Sequence, residues 1–152
     1  MEYRTLGKTN TKVPVVSFGS WAIGGWQWGG TDDDEAKRAI QRGIDLGVTC
    51  IDTAPVYGFG HSEMIVSEAI QGKRDKLVIA TKCGLRWDTK EGEFFFDTVD
   101  RNGNPLKLYR NLRPDSIRKE CENSLRRLKI DVIDLYQCHW PDKTTPLEDT
   151  MD

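Results

Sequence analysis

A short apolar run followed by helical spacing recurs along this chain in one direction, and that rhythm constrains the fold more than any other feature. Val15 to Phe18, Val48 to Ala54, Leu77 to Thr81 and Val132 to Cys138 have strand length and apolar character. After the first, Asp32-Asp33-Asp34-Glu35 puts negative charge where a helix N-terminus favours it; Ala36, Ile40, Ile44 and Leu46 follow at helical spacing, and Gly47 is the stop. Ser62 to Ile70 reads as a second helix, with Ser62 as N-cap and Gly72 as stop. Pro114 to Leu128 reads as a third, with Pro114 in its first turn and Ile117, Cys121, Leu125 and Leu128 on one face. Strands joined this way pair in parallel, and a parallel sheet needs helices over it. Ahead of them, Tyr3 to Leu6 and Lys12 to Pro14 flank Gly7-Lys8-Thr9-Asn10 as a small hairpin.

Two architectures share this rhythm: a doubly wound open sheet and part of a (β/α)8 barrel. The first carries a glycine fingerprint in its first βα turn when it binds a dinucleotide. That turn is Gly19-Ser20-Trp21-Ala22-Ile23-Gly24 and lacks the pattern. Gly58-Phe59-Gly60 comes closer, but the third glycine position is Glu63, whose carboxylate at a helix N-terminus would repel a pyrophosphate. The residues favour the barrel. The expected fold class is therefore α/β, the N-terminal half of a (β/α)8 (TIM) barrel with a leading β-hairpin and outer helices.

A whole barrel of this type takes about 250 residues, against the 152 of this chain. Thr145-Pro146-Leu147-Glu148 announces a further helix by its capping-box pattern shortly before Asp152. Residues 1–152 are thus expected to be the N-terminal portion of a barrel, truncated after the fourth strand. Unpaired sheet edges and open apolar faces then predict self-association or a complementing C-terminal half. Between Gly84 and Pro114, two β-prone runs around Asn102-Gly103 read as a hairpin on the face where barrel active sites lie.

A formal charge of −2 gives no reason to expect a nucleic acid or an anionic membrane as partner. No apolar run approaches a membrane span, and Met1-Glu2-Tyr3-Arg4 opens no signal peptide. Cys50, Cys83, Cys121 and Cys138 form no CxxC pair and read as reduced thiols of a cytoplasmic protein. His61 and His139 alone offer imidazole, which argues against a metal centre.

Asp52, Lys82 and His139 each close an apolar run, where a polar residue needs a polar pocket. Strand C-termini of a parallel barrel converge on one face, so these three become neighbours, with Tyr57 in the loop after Asp52. Taken singly, Asp52 and Lys82 would be a structural ion pair, Tyr57 a half-buried aromatic and His139 a satisfied strand-end histidine. The Arg118-Lys119, Arg126-Arg127 and Lys129 cluster reads as a solvated helix face.

Together these residues stand in motifs. Asp52-Thr53-Ala54-Pro55-Val56-Tyr57-Gly58-Phe59-Gly60-His61-Ser62-Glu63 resembles the aldo-keto reductase signature D-T-A-x-x-Y-G-x-G-x-S-E. Ala80-Thr81-Lys82 resembles that family's strand-three lysine motif, Asp134-Leu135-Tyr136-Gln137-Cys138-His139-Trp140-Pro141 its D-L-Y-x-x-H-W-P segment, and Gly19-Ser20-Trp21 its G-T-W loop. The resemblance implies an NADP(H)-dependent oxidoreductase that reduces small aldehydes or ketones to alcohols, with NAD(H) as the alternative to NADP(H). It implies Tyr57 as proton donor, Lys82 as the ammonium beside it, Asp52 as the partner of Lys82, and His139 as hydrogen-bond donor to the carbonyl. It places Gly19, Ser20, Trp21, Asp52 and Tyr57 at the nicotinamide and Trp21, Trp87 and Trp140 at the substrate. Trp26 and Trp28 suit loop packing equally well, and Phe94-Phe95-Phe96 reads as hairpin packing. The family's phosphate contacts come mostly from its last two βα units, so the fragment alone is expected to be inactive. The contrasting expectation is a non-catalytic half-barrel, or a cofactor-sensing subunit like the channel-associated members of the family.

Overall fold

The computed structural model describes residues 1–151. In chain order it forms β1 (Tyr3–Thr5), β2 (Lys12–Pro14), β3 (Phe18–Gly19), α1 (Asp33–Asp45), β4 (Cys50–Asp52), α2 (His61–Ala69), β5 (Val78–Cys83), β6 (Leu85–Arg86), β7 (Glu93–Val99), β8 (Pro105–Arg110), α3 (Pro114–Leu128), β9 (Leu135–Cys138) and α4 (Leu147–Met151). Short 3-10 turns occupy Ala22–Gly24 and Arg74–Lys76. β1 and β2 pair antiparallel as the leading hairpin. The central sheet has the order β3-β4-β5-β9 and is parallel throughout, with Asp52 opposite Ala80 and Lys82 opposite Gln137. A second sheet, β6-β8-β7, is antiparallel and stands on the long connection between β5 and α3.

Alternation along the strands assigns the two faces. Ile51 and Ile79 are register partners, both fully buried, and they join Ile40, Val66 and Leu128 in the core between sheet and helices. Cys50, Asp52, Val78, Ala80, Leu135 and Gln137 turn the other way and line an open apolar cavity of about 310 Å³ with Leu6 and Val13 of the leading hairpin. This is the inner face of the curved sheet. Its strand C-termini rise toward the second sheet.

Several boundaries differ from the expectations. The first strand begins only at Phe18: Val15 and Val16 are 49% and 54% exposed, and they connect the hairpin to the sheet rather than pairing within it. Ser62 is not the cap of α2. Gly60 holds that position at φ +98°, and Ser62 lies inside the first turn, fully buried. Its hydroxyl bonds to Ser20 Oγ at 2.8 Å and to Thr53 Oγ1 at 3.1 Å, so it ties three loops together. The buried stripe of α3 is Ser116, Glu120, Ser124 and Leu128, with Ile117, Cys121 and Leu125 only half-buried beside it. Thr145 donates its hydroxyl to Asp142 Oδ2 at 2.7 Å instead of capping α4.

A polar stripe on α3 is tolerable because each group has a partner. Glu120 accepts from the Gly84 N–H through both oxygens at 3.1 Å, and the Arg86 guanidinium donates to Ser116 Oγ. Glu63, fully buried in α2, accepts from Thr81 Oγ1 at 2.8 Å and from the Arg127 Nε. Thus one carboxylate joins α2, β5 and α3, and another ties the end of β5 to α3. All four cysteines are free thiols, and burial pushes the Cys83 thiol up.

Burial also raises the Glu120 carboxyl to about 7 from the ordinary 4.5, against the opposing pull of the Gly84 N–H. The folded chain therefore holds a proton there that the unfolded chain has released, and its stability falls as pH rises from about 4.5 to about 7. Glu120→Gln keeps an acceptor for Gly84 without the charge. It should remove that part of the pH dependence and raise stability at pH 8 by about 1–3 kcal/mol. Urea unfolding of both proteins at pH 5 and pH 8 checks this; an equal pH dependence in the two would contradict it.

Candidate active site

The end of β5 carries Lys82 with its side chain on the inner face, only 13% exposed. An ammonium so placed needs acceptors, and the end of β4 with the residue after it supplies two. Asp52 Oδ2 lies 2.7 Å from Lys82 Nζ and the Thr53 carbonyl 2.8 Å away. The other Asp52 oxygen accepts from Gln137 Nε2 of β9 at 3.5 Å. Three neighbouring strands thus meet through one ion pair.

Tyr57 is placed by the loop after β4. Gly58 at φ +66° lets this loop meet the first βα loop backbone to backbone: a side chain at Gly58 would come 2.1 Å from the Gly24 carbonyl oxygen. Held there, the Tyr57 ring lies under Lys82, with Nζ 4.9 Å from its centroid. Trp21 stacks on it at 6.1 Å, and His139 meets it edge-on at 5.7 Å. The His139 backbone N–H donates to the Cys83 carbonyl at 2.9 Å, which fixes the end of β9 against β5. Burial and then the Lys82 ammonium lower the His139 imidazole to about 4, with Asp52 opposing. At neutral pH His139 is a neutral ring with one N–H to donate.

The structure therefore brings Asp52, Tyr57, Lys82 and His139 together. Tyr57 and His139 open onto a cavity of about 280 Å³ that Trp21 and Trp140 also line. Trp87 does not line it; it packs on Phe59 at 5.4 Å, beside the hairpin. Ser20 is fully buried, with its hydroxyl donating to the Asp52 carbonyl at 2.9 Å, so its side chain serves the scaffold rather than the cleft. Gly19 has nothing within 4 Å of the place a side chain would start, and Trp21 is 44% exposed, which leaves room for a flat ring beside Tyr57.

Sequence reasoning missed Gln137, which β-alternation two residues before His139 could have placed on the same face. Phe95 and Phe96, which read from the sequence as hairpin packing, line the cavity, and so does Trp26, for which pocket and loop packing are equal readings. The Gly58 to Glu63 loop is filled by the chain's own side chains: Glu63 is buried against Thr81 and Arg127, and the Arg127 side chain crowds Gly60.

The profile described as "Aldo/keto reductase family" matches residues 15–152. The chain is 43% identical to "Aldo-keto reductase YhdN" of Bacillus subtilis, covering all of this chain and 42% of that protein. It is 41% identical to the "NADH-specific methylglyoxal reductase" of Escherichia coli, covering 96% of this chain and 45% of the relative. Among solved structures, the glycerol dehydrogenase AKR11B4 of Gluconobacter oxydans superposes with a TM-score of 0.80 at 46% identity, over 97% of this chain and 42% of that one. The chain thus spans less than half the length of these relatives and corresponds to the N-terminal part of their barrel.

Proton NMR titration of the two histidines tests the electrostatics of the site. The His139 ring signal should titrate near pH 4, and Lys82→Met should move its midpoint upward because a repelling charge is gone. A His139 midpoint near 6.5, unmoved by Lys82→Met, would contradict this picture.

Proposed function

The chain belongs to the aldo/keto reductase family, and from that premise we propose that it supplies the proton-transfer half of an NADP(H)-dependent enzyme reducing aldehydes or ketones to alcohols. The observation that carries this reading is the Lys82 ammonium, fixed 2.7 Å from Asp52 and poised 4.9 Å over the Tyr57 ring, with His139 against the same ring.

Reduction of a carbonyl delivers a hydride to carbon and a proton to oxygen. When bound, the nicotinamide supplies the hydride. Tyr57 gives the proton: its O–H bond breaks as the new O–H bond of the alcohol forms, and negative charge is left on the phenol oxygen. That charge is stabilised by Lys82. Asp52 and the Thr53 carbonyl keep Lys82 from swinging away. Neutral His139 donates a hydrogen bond to the carbonyl oxygen, which orients it and favours the charge developing there. Gly19, Trp21, Asp52 and Tyr57 are the residues that would hold the nicotinamide end, in the room beside Trp21. NADP(H) is the proposed cofactor, with NAD(H) as the alternative, the cofactor named for the E. coli relative. The proposed location is the cytoplasm; no helix among the described residues is long and apolar enough to cross a membrane.

Tyr57→Phe removes only the proton donor. In the assembled enzyme it should lower turnover about a hundredfold or more while cofactor affinity stays within about twofold. Stopped-flow NADPH oxidation and equilibrium titration check the two halves of this statement, and near-normal turnover at neutral pH would overturn the role of Tyr57.

The inner face of the sheet, lined by Val78, Ala80 and Leu135, is open in this chain, and β3 and β9 each have one unpaired edge among the described residues. We propose that a second copy or a complementing C-terminal half closes it. The described residues offer no loop that cradles the cofactor phosphates, and several charge-assisted bonds are worth about 1.5–3 kcal/mol each. NADPH should therefore quench the tryptophans of the chain alone only above micromolar concentration, and tighter binding should follow addition of the C-terminal half. Sedimentation of the chain alone as a compact monomer that binds NADPH at micromolar levels would overturn this proposal.

A further inference from the structure

β7 departs from strand geometry at one place. Its pairing with β8 shifts register between Phe94 and Phe96, so one extra residue is inserted there. In a regular strand Phe95 and Phe96 would face opposite sides. The bulge breaks the alternation: Phe94 is 49% exposed, whereas Phe95 and Phe96 are both half-buried and both line the cavity beside Tyr57 and His139.

The two rings are held from both sides. Trp26, from the first βα loop, lies parallel to Phe96 at 6.3 Å and donates its indole N–H to Thr98 Oγ1 at 3.1 Å. Phe95 packs on Trp140 at 5.4 Å and carries the Arg110 guanidinium 3.8 Å over its face, which Glu93 holds at 3.3 Å. The wall that Phe95 and Phe96 build is thus packed on both sides, aromatic and without a charged residue among those lining the cavity. The part of the cavity that this chain builds measures about 280 Å³, room enough to lay one planar ring against the wall.

On these grounds we propose that the β7–β8 hairpin is the substrate-selecting wall of the site, and that the bulge at Phe95 turns the site toward aldehydes and ketones bearing a planar apolar group. The inference rests on the carbonyl-reductase reading. Phe95 and Phe96 select by contact with the apolar group, while Tyr57 and His139 address the oxygen. Small hydrated carbonyls and polyols lack the surface that this wall would cover.

The test needs neither cofactor nor turnover. Benzyl alcohol, a ring-bearing alcohol of the product class, is titrated into the chain while the five indole N–H signals are followed by NMR. It should shift the Trp26 and Trp140 signals saturably, and glycerol at equal concentration should not. Phe95→Ala and Phe96→Ala should each weaken benzyl alcohol binding about two- to tenfold, the worth of one aromatic pair. Phe94→Ala, one residue away but facing solvent, should leave it unchanged. If an alanine variant loses its dispersed amide spectrum, Phe95→Leu and Phe96→Leu keep the volume and should still weaken binding. Equal responses to glycerol and benzyl alcohol, or equal losses in Phe94→Ala and Phe95→Ala, would overturn the proposal. In the assembled enzyme, Phe96→Ala should lower kcat/KM for benzaldehyde relative to methylglyoxal, whereas Tyr57→Phe should lower both alike. Ring binding that depends on Phe95 and Phe96 without any carbonyl turnover would sink the reductase reading and leave the hairpin's role standing.

Discussion

An ammonium turned into the face of a sheet must find acceptors at once, and Lys82 finds both at the C-terminal end of the neighbouring strand, on Asp52 and on Thr53 just after it. The parallel register sets Asp52 opposite Ala80 and Lys82 opposite Gln137. Asp52 then lies within 2.7 Å of Lys82, and Gln137 reaches the other carboxylate oxygen from the opposite flank. A slip of one residue would turn Lys82 toward the helices and bring Thr81 inward. Such a slip would cost both the ion pair and the Thr81 bond to buried Glu63. The two faces of the sheet therefore guard one another's register. The inner face carries the chemistry, and the outer face carries the polar braces that stop the strands from sliding.

This view changes what the twelve-residue signature means. In it Tyr57 and Val56 line the cleft, and Asp52 anchors Lys82 beside it. Thr53 and Ser62 form a buried hydroxyl chain with Ser20. Gly58 allows one loop to lie against another, and Glu63 joins α2 to β5 and α3. Most of the motif is scaffold whose purpose is to hold Tyr57 beneath Lys82. An unsatisfied polar group at any of these buried positions costs about 1–3 kcal/mol, comparable to a sizeable part of the stability of a small domain.

The legible parts of the fold are those in which periodicity and burial agree. The βα rhythm, the leading hairpin and the convergence of Asp52, Lys82 and His139 follow from strand ends and parallel pairing. Legibility fails where buried residues are polar. The face of α3 is misread because its interior stripe contains Ser116, Glu120 and Ser124, acceptable only through partners such as Gly84 and Arg86 that sequence spacing does not disclose. Ser62 has the chemistry of a cap, yet its hydroxyl is claimed by Ser20, and the left-handed Gly60 starts the helix. Val15 and Val16 look like core strand and are exposed, because β-branched residues mark extended backbone as readily as buried backbone.

The cleft wall is the least legible of all. Three consecutive phenylalanines in a hairpin read as packing, since a regular strand can send at most alternate residues toward one side. The inserted residue at Phe95 is invisible in composition and hydropathy. It depends on the pairing of β7 with β8, which depends in turn on where β6 and α3 anchor the hairpin ends. A chemical centre can thus be read from residue types at strand ends, because proton transfer demands particular groups. The pocket around it cannot be read that way, because any apolar ring will serve and only backbone geometry decides which ring arrives. The same asymmetry lets one inner-face constellation serve different substrates: the ion pair and the phenol are tied to sheet register, whereas the wall rides on an antiparallel sheet that can be reshaped by a single residue without disturbing it.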